Sequence, residues 1–256
     1  MGKIIALVNQ KGGVGKTTTS VNLAAYLSLF GKRILLVDID PQANASQGVG
    51  IRVTDQEKHI YHALLEPEIL PGVIKSTIVD RLHIVPAQSN LAGASVELVE
   101  LPRREYRLRY VLDKVRHHYD FIIIDSPPSL GLLTINGLVA ADKIVIPVQA
   151  EYYALEGLGQ LLKTINLVQN HLHPDLDILG AVITMFDRRN SLSKAVLQEL
   201  YRYFPNKIFR SVIPRNVRLA EAPSHGKPIL LYDPNSRGGR AYEKLAREFL
   251  SLIDQL

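Results

Sequence analysis

The residues best suited to chemistry lie in one run, Lys11-Gly12-Gly13-Val14-Gly15-Lys16-Thr17-Thr18. Glycines let a backbone curl until successive N–H groups aim at one anion. A helix that starts there adds unpaired N–H groups and the positive end of its dipole. In such a loop Lys16 carries a mobile charge to the β- and γ-phosphates of a nucleotide, and the Thr17 hydroxyl ligates Mg²⁺. The plain alternative is a glycine-rich turn, which a Gly-Lys-Thr between strand and helix patterns disfavours. One departure stands out. The general phosphate-loop pattern asks for glycine at position 10, where this chain has Gln10, followed by a second lysine, Lys11.

Two carboxylate sites follow. Asp38 and Asp40 sit two residues apart at the end of an apolar run and so share one side of an extended strand. Two acids beside a triphosphate repel unless a metal or a lysine neutralises them. Asp38 has a simpler alternative, capping the strand end. Farther on, Phe121-Ile122-Ile123-Ile124 delivers Asp125, then Ser126-Pro127-Pro128. An apolar strand ending in one Asp is the arrangement that holds Mg²⁺ directly or through water. The prolines stiffen the loop next to the expected γ-phosphate.

The elements that must position these groups alternate. Residues 4–8, 33–37, 121–124, 143–148 and 178–184 read as strands apolar on both faces, with 82–85 and 229–232 as weaker candidates. Helical periods occupy 17–30, 104–117, 156–172, 192–203 and 240–253. This pattern predicts an α/β fold, a single P-loop NTPase domain over residues 1–256 with a mostly parallel sheet and helices on both faces. Strand carboxyl ends line the crevice of such sheets, where both acidic sites fall.

Composition narrows the options. The 256 residues include no cysteine, which excludes a disulfide scaffold, thiolate metal sites and a cysteine nucleophile. No run approaches the roughly 18 apolar residues of a membrane span, and the apolar start is too short for a signal peptide, so a cytoplasmic protein is expected. The net charge is +5, unevenly spread. Residues 185–240 hold eleven basic against four acidic side chains, a net of +7. Such a surface attracts polyanions, and phosphate contacts give salt-dependent, sequence-independent DNA affinity. A second basic cluster, Arg103, Arg104, Arg107, Arg109, Lys114 and Arg116, reads mainly as the wet face of a helix.

The run KGGVGKTT resembles the deviant Walker A loop of the ParA/MinD group of ATPases. LLVDIDPQANAS (35–46), DFIIIDSPPSLGLLTINGL (120–138), IPVQAEYYALEGL (146–158) and VIPRNVRLAEAPSHGKPI (212–229) are similar to its chromosome- and plasmid-partitioning branch, ParA/Soj. The resemblance implies ATP and Mg²⁺ as cofactors, with Thr17, Asp40 and Asp125 at the metal. It gives Lys11 a reach across a homodimer to the partner's ATP, and Asp40 the positioning of the attacking water. Asp38 becomes a partner of the metal or lysine, and Pro214-Arg215-Asn216 approaches the adenine. It implies an ATP-bound dimer that coats the nucleoid by nonspecific binding to double-stranded DNA, released when a ParB-like protein stimulates hydrolysis. Arg218, then Arg188 and Arg189, become the DNA candidates.

Relatives on the same scaffold offer other readings. Cluster-bearing iron proteins need cysteines. A MinD-like membrane-positioning ATPase needs a basic amphipathic C-terminal helix, whereas 241–256 nets −1 with an apolar stripe suited to packing on the domain, so no stable membrane association is expected. A small-molecule ligase would need an acceptor pocket.

Overall fold

Strands that are apolar on both faces need cover on both sides, and the fold supplies it. The computed structural model describes residues 1–151, 154–187 and 189–255. Seven strands, β1 (Lys3–Leu7), β2 (Ile34–Asp38), β3 (Lys75–Ser76), β4 (Leu82–Val85), β5 (Phe121–Asp125), β6 (Lys143–Gln149) and β7 (Asp177–Thr184), form one sheet in the order β3-β4-β2-β5-β1-β6-β7. Every pairing is parallel except β3 with β4. The principal helices are α1 (Lys16–Leu29), α2 (Arg107–Asp113), α3 (Leu132–Ala140), α4 (Ala154–His171), α5 (Ser191–Tyr203) and α6 (Arg237–Asp254).

The strand pleat divides the core in two. Ile4, Ala6, Leu35, Val37 and Ile122 join one apolar layer with residues of α2, α3 and α4. Ile5, Leu7, Leu36 and Ile123 join the other, with Leu23 and Leu27 of α1 and Tyr242 and Phe249 of α6. The Tyr242 hydroxyl lies 3.1 Å from Thr19 Oγ1, fastening the C-terminal helix to the helix that follows the phosphate loop. Leu245, Phe249 and Ile253 continue that buried stripe, so the apolar face of α6 is spent on the domain itself.

Two expectations are corrected. Residues 229–232, read as a weak strand, form a single helical turn, Ile229–Tyr232, whose first N–H donates to Asn22 Oδ1 at 2.7 Å. Four apolar residues do not reveal a period, and Pro228 before them sets up a helical start. The helix expected over 104–117 is broken into a 3₁₀ turn Arg104–Tyr106, α2, and a second 3₁₀ turn Arg116–His118. Arg116 marks the second break, where its guanidinium donates to Gly2 O and ion-pairs with Asp142.

Strand register sets the site. Asp38 lies opposite Asp125 on neighbouring β2 and β5, and Leu7 opposite Asp125 on β1 and β5, so three strand ends finish level. Asp38 is fully buried and holds the chain that follows it. Its Oδ1 accepts from Asp40 N (3.1 Å), and its Oδ2 from Ser46 N (2.9 Å) and Ser46 Oγ (2.7 Å). Ser46 Oγ in turn accepts from Ala87 N at 3.0 Å. The capping alternative for Asp38 is therefore the one the geometry supports.

Burial raises the Asp38 carboxyl above the ordinary carboxylate range, and the charge of Asp125 adds to the rise; the Ser46 bonds oppose it. A carboxyl raised on folding contributes its stability below its usual value of about 3.9 and loses it as pH climbs through the raised one. Ser46→Ala leaves Ala87 N unpaired and takes a donor from the ionised form, so it should cost about 1–3 kcal/mol, and more at about pH 8 than at about pH 5. Denaturant unfolding at both pH values checks this, and an equal or absent loss contradicts it.

Candidate functional site

The loop between β1 and α1 is held from both sides. Asn9 donates to Pro147 O at 2.7 Å and accepts from Lys11 N at 3.0 Å. Thr184 Oγ1, at the end of β7, donates to Val14 O at 2.7 Å. Gly13 (φ 74°) and Gly15 (φ 84°) take left-handed conformations that side-chain-bearing residues rarely adopt. Val14 is buried, Gly12 and Gly13 face solvent, and Thr17 and Thr18 are half-buried at the first turn of α1. Lys16 crosses beneath this curl, its ammonium donating to Lys11 O at 3.1 Å.

Directly below the loop stand the acids. Asp125 is fully buried, with Oδ2 accepting from Thr17 Oγ1 (2.8 Å) and Oδ1 from Ser20 Oγ (2.7 Å). Asp40 is 6% exposed and accepts from Gln42 N at 2.9 Å, closing a tight turn just past β2. Burial lowers the Lys16 ammonium from its ordinary value, against the opposing pull of Asp125 and Asp40. Burial likewise raises Asp125, with Asp40 adding to the rise and the two hydroxyls and Lys16 working against it. Lysine and carboxylates thus occupy a poorly solvated crevice in which added charge of either sign is felt strongly.

The stretch Pro214-Arg215-Asn216 reaches the same edge of the sheet. Phe186, just past β7, donates from its N–H to Ile213 O at 3.0 Å and bridges to Pro214. Arg215 Nη2 lies 3.3 Å from Glu151 Oε1, and Lys11 Nζ lies 3.7 Å from Glu151 Oε2. Asn216 Oδ1 is buried with no hydrogen-bond partner among the described residues. The structure therefore brings together Lys11 through Thr18, Asp40, Asp125 and Pro214-Arg215-Asn216. Sequence reasoning missed Asn9, Ser20, Glu151 and Thr184. Ser20 was within reach, because a hydroxyl three residues after Thr17 on a helix shares its face. Glu151 and Thr184 come from strand ends far along the chain and carry no local signal.

The basic segment resolves into distinct environments. Arg218 is exposed but already paired, 3.0 Å from Glu221 and 3.6 Å from Asp233. Arg189 is exposed, and Arg188 lies outside the described residues. Arg189, Arg210, Arg215, Arg237, Arg240 and Lys244 line a cavity of about 1090 Å³, with Asp187 as the acidic member of its wall. Lys244, in the C-terminal segment 241–256 that nets −1, joins this basic surface. The other cluster is structurally engaged: Arg107 donates to Leu64 O and Leu65 O, Arg116 binds Gly2 O and Asp142, and Lys114 pairs with Glu68.

Comparisons with known proteins agree with this geometry. Residues 2–178 match the family described as an AAA domain. The chain is 59% identical over 248 residues to the sporulation initiation inhibitor protein Soj of Bacillus subtilis, spanning 97% of this chain and 98% of that one. It is 51% identical to the chromosome partitioning protein ParA of Myxococcus xanthus, spanning 98% and 88%. Among solved structures, cobyrinic acid a,c-diamide synthase of Mycobacterium smegmatis with bound ADP and magnesium superposes with a TM-score of 0.87 at 35% identity, covering 99% of this chain and 96% of that one. With the phosphate-loop lysines, the buried Asp125 and the level strand ends on one crevice, the chain belongs to the Soj/ParA family of chromosome-partitioning ATPases.

Proposed function

We propose that residues 1–256 form one Mg²⁺-dependent ATP hydrolase domain that partitions DNA, with 185–240 supplying most of its basic surface. The observation that carries this reading is the meeting of Lys16, Thr17 and Asp125 beneath a glycine loop, with Asp40 one strand away. Thr17, Asp40 and Asp125 are hard oxygen donors, and burial has raised Asp125, so a divalent cation fits the charge the crevice lacks. Bound there, magnesium would neutralise charge on the β- and γ-phosphate oxygens.

The chain's own residues divide the remaining work. The N–H groups of 12–18 cradle the phosphates, Lys16 neutralises them, and Asp40 orients the attacking water. Pro214, Arg215 and Asn216 meet the adenine, where the unpaired Asn216 Oδ1 offers an acceptor. Lys11 reaches the phosphates of a second copy, joining two subunits face to face around ATP. Each additional phosphate contact with DNA steepens the salt dependence by about 0.9, so pairing two basic surfaces raises affinity sharply at low salt. Hydrolysis, slow alone and stimulated by a ParB-like protein, separates the pair and releases the nucleoid.

Two other readings have specific support or opposition. The synthase likeness favours a small-molecule ligase, in which ATP use depends on a metabolite. A MinD-like membrane regulator is disfavoured because the apolar stripe of α6 packs against α1. ATP hydrolysis measured with random-sequence DNA, with anionic liposomes and with neither separates them. The partitioning reading expects stimulation by DNA and partner protein and none by liposomes.

Three variants test the assignments. Lys16→Ala should weaken ATP binding roughly 10–150-fold by calorimetry, the worth of a charge-assisted contact; unchanged affinity refutes the loop. Asp40→Ala should still bind ATP and dimerise while hydrolysis falls about 10²–10⁴-fold. Parental turnover would show Asp40 misassigned. Arg240 has no acidic partner among the described residues, whereas Arg218 has two. Arg240→Glu should therefore reduce ATP-dependent duplex binding more than Arg218→Glu in a gel shift, and the reverse order contradicts the placement of the DNA surface.

A further inference from the structure

Two cations of the site, from segments about 200 residues apart in sequence, converge on one carboxylate. Glu151 lies two residues past the end of β6, its backbone pinned by donation from Glu151 N to Gln149 O at 2.8 Å. Gln149 Nε2 donates to Glu151 Oε1 at 2.6 Å, Arg215 Nη2 lies 3.3 Å from the same oxygen, and Lys11 Nζ lies 3.7 Å from Oε2. Lys11 and Arg215 have no other carboxylate within ion-pair distance among the described residues. Glu151 therefore stands where an anionic ligand would meet both: it joins the phosphate loop to the stretch after β7 by charge alone.

We propose that Glu151 is a positioning residue that restrains Lys11 and Arg215 within their own subunit, so that each engages nucleotide only by leaving it. This rests on the nucleotide reading of the site given above. The restraint is graded. The Lys11 and Glu151 side chains are 32% and 46% exposed, and Arg215 is 66% exposed, so water and salt screen the pairs. Pairs of that exposure shift an equilibrium by about two- to fivefold, enough to set a threshold and too little to block the site. A nucleotide triphosphate, carrying several negative charges, displaces a single carboxylate readily. Glu151 thus keeps Lys11 from engaging acids or phosphates at random and makes its release depend on a polyphosphate. The same residue links occupancy at the Arg215 side to the freedom of Lys11, because both cations draw on one charge.

The test reads Lys11 directly. The nucleotide-free chain is treated with a limiting amount of an amine-reactive acetyl ester, and labelling of each lysine is quantified by mass spectrometry. In Glu151→Gln, which preserves shape at a half-exposed position, Lys11 should label about two- to fivefold faster, because without the ion pair its side chain is no longer held against Glu151. Exposed Lys58 is the internal standard and should be unchanged. Added salt should speed Lys11 labelling in the parent and not in Glu151→Gln. The ATP concentration giving half-maximal dimerisation by light scattering should fall by a similar factor in that variant. Unchanged Lys11 labelling overturns the proposal. A raised ATP requirement does so too, because it makes Glu151 a contact that assists assembly. A parent that labels as expected yet fails to dimerise with ATP would count against the proposed function and leave the restraint standing.

Discussion

The structure turns on the grip of two hydroxyls on one buried carboxylate. Thr17 and Ser20 each donate to an oxygen of Asp125, from the first turn of α1 to the end of β5. A carboxylate without exposure is costly unless its oxygens are satisfied, so these bonds fix the start of α1 over the central strand. The start of α1 and its dipole take their position from that bond pair, while Asn9 and Thr184 hold the loop that precedes it. Asp38, one strand over, does the same for the segment carrying Asp40 through Ser46. The crevice is thus assembled from acids that serve as anchors first, and their raised protonation is the cost of the arrangement.

Much of this was legible in the sequence, for identifiable reasons. Strands buried on both faces announce themselves as apolar runs, and six of the seven lie where such runs were read; the two-residue β3 is too short to show any pattern. The phosphate loop is legible because its chemistry is local: glycines, lysine and threonine are consecutive. Thr184, Asn9 and Glu151 were not, because they act by closing distances across the sheet that no spacing along the chain encodes. The four-residue run 229–232 misled because its apolar character was right and its period undetermined.

Charge was legible as a bias and became specific only in three dimensions. The segment count located a basic region, yet Arg218 proved to be paired with two acids, while Lys244, in the C-terminal segment 241–256 that nets −1, joins the basic cavity. The segment after Asp40 also abuts the one carrying Arg218. Gly50 and Gly226, both left-handed, meet so closely that a Cβ on Gly50 would stand 3.0 Å from Gly226 O. The acidic anchor, the loop and the basic surface are parts of one contiguous body.

The central claim is that nucleotide state sets DNA affinity. The most direct measurement is anisotropy of a labelled random-sequence duplex titrated with the chain across a salt series, in ATP, in ADP and without nucleotide. The account predicts tight binding only in ATP, with log affinity falling far more steeply with log salt than in the other two conditions. The same affinity and slope in all three would contradict it.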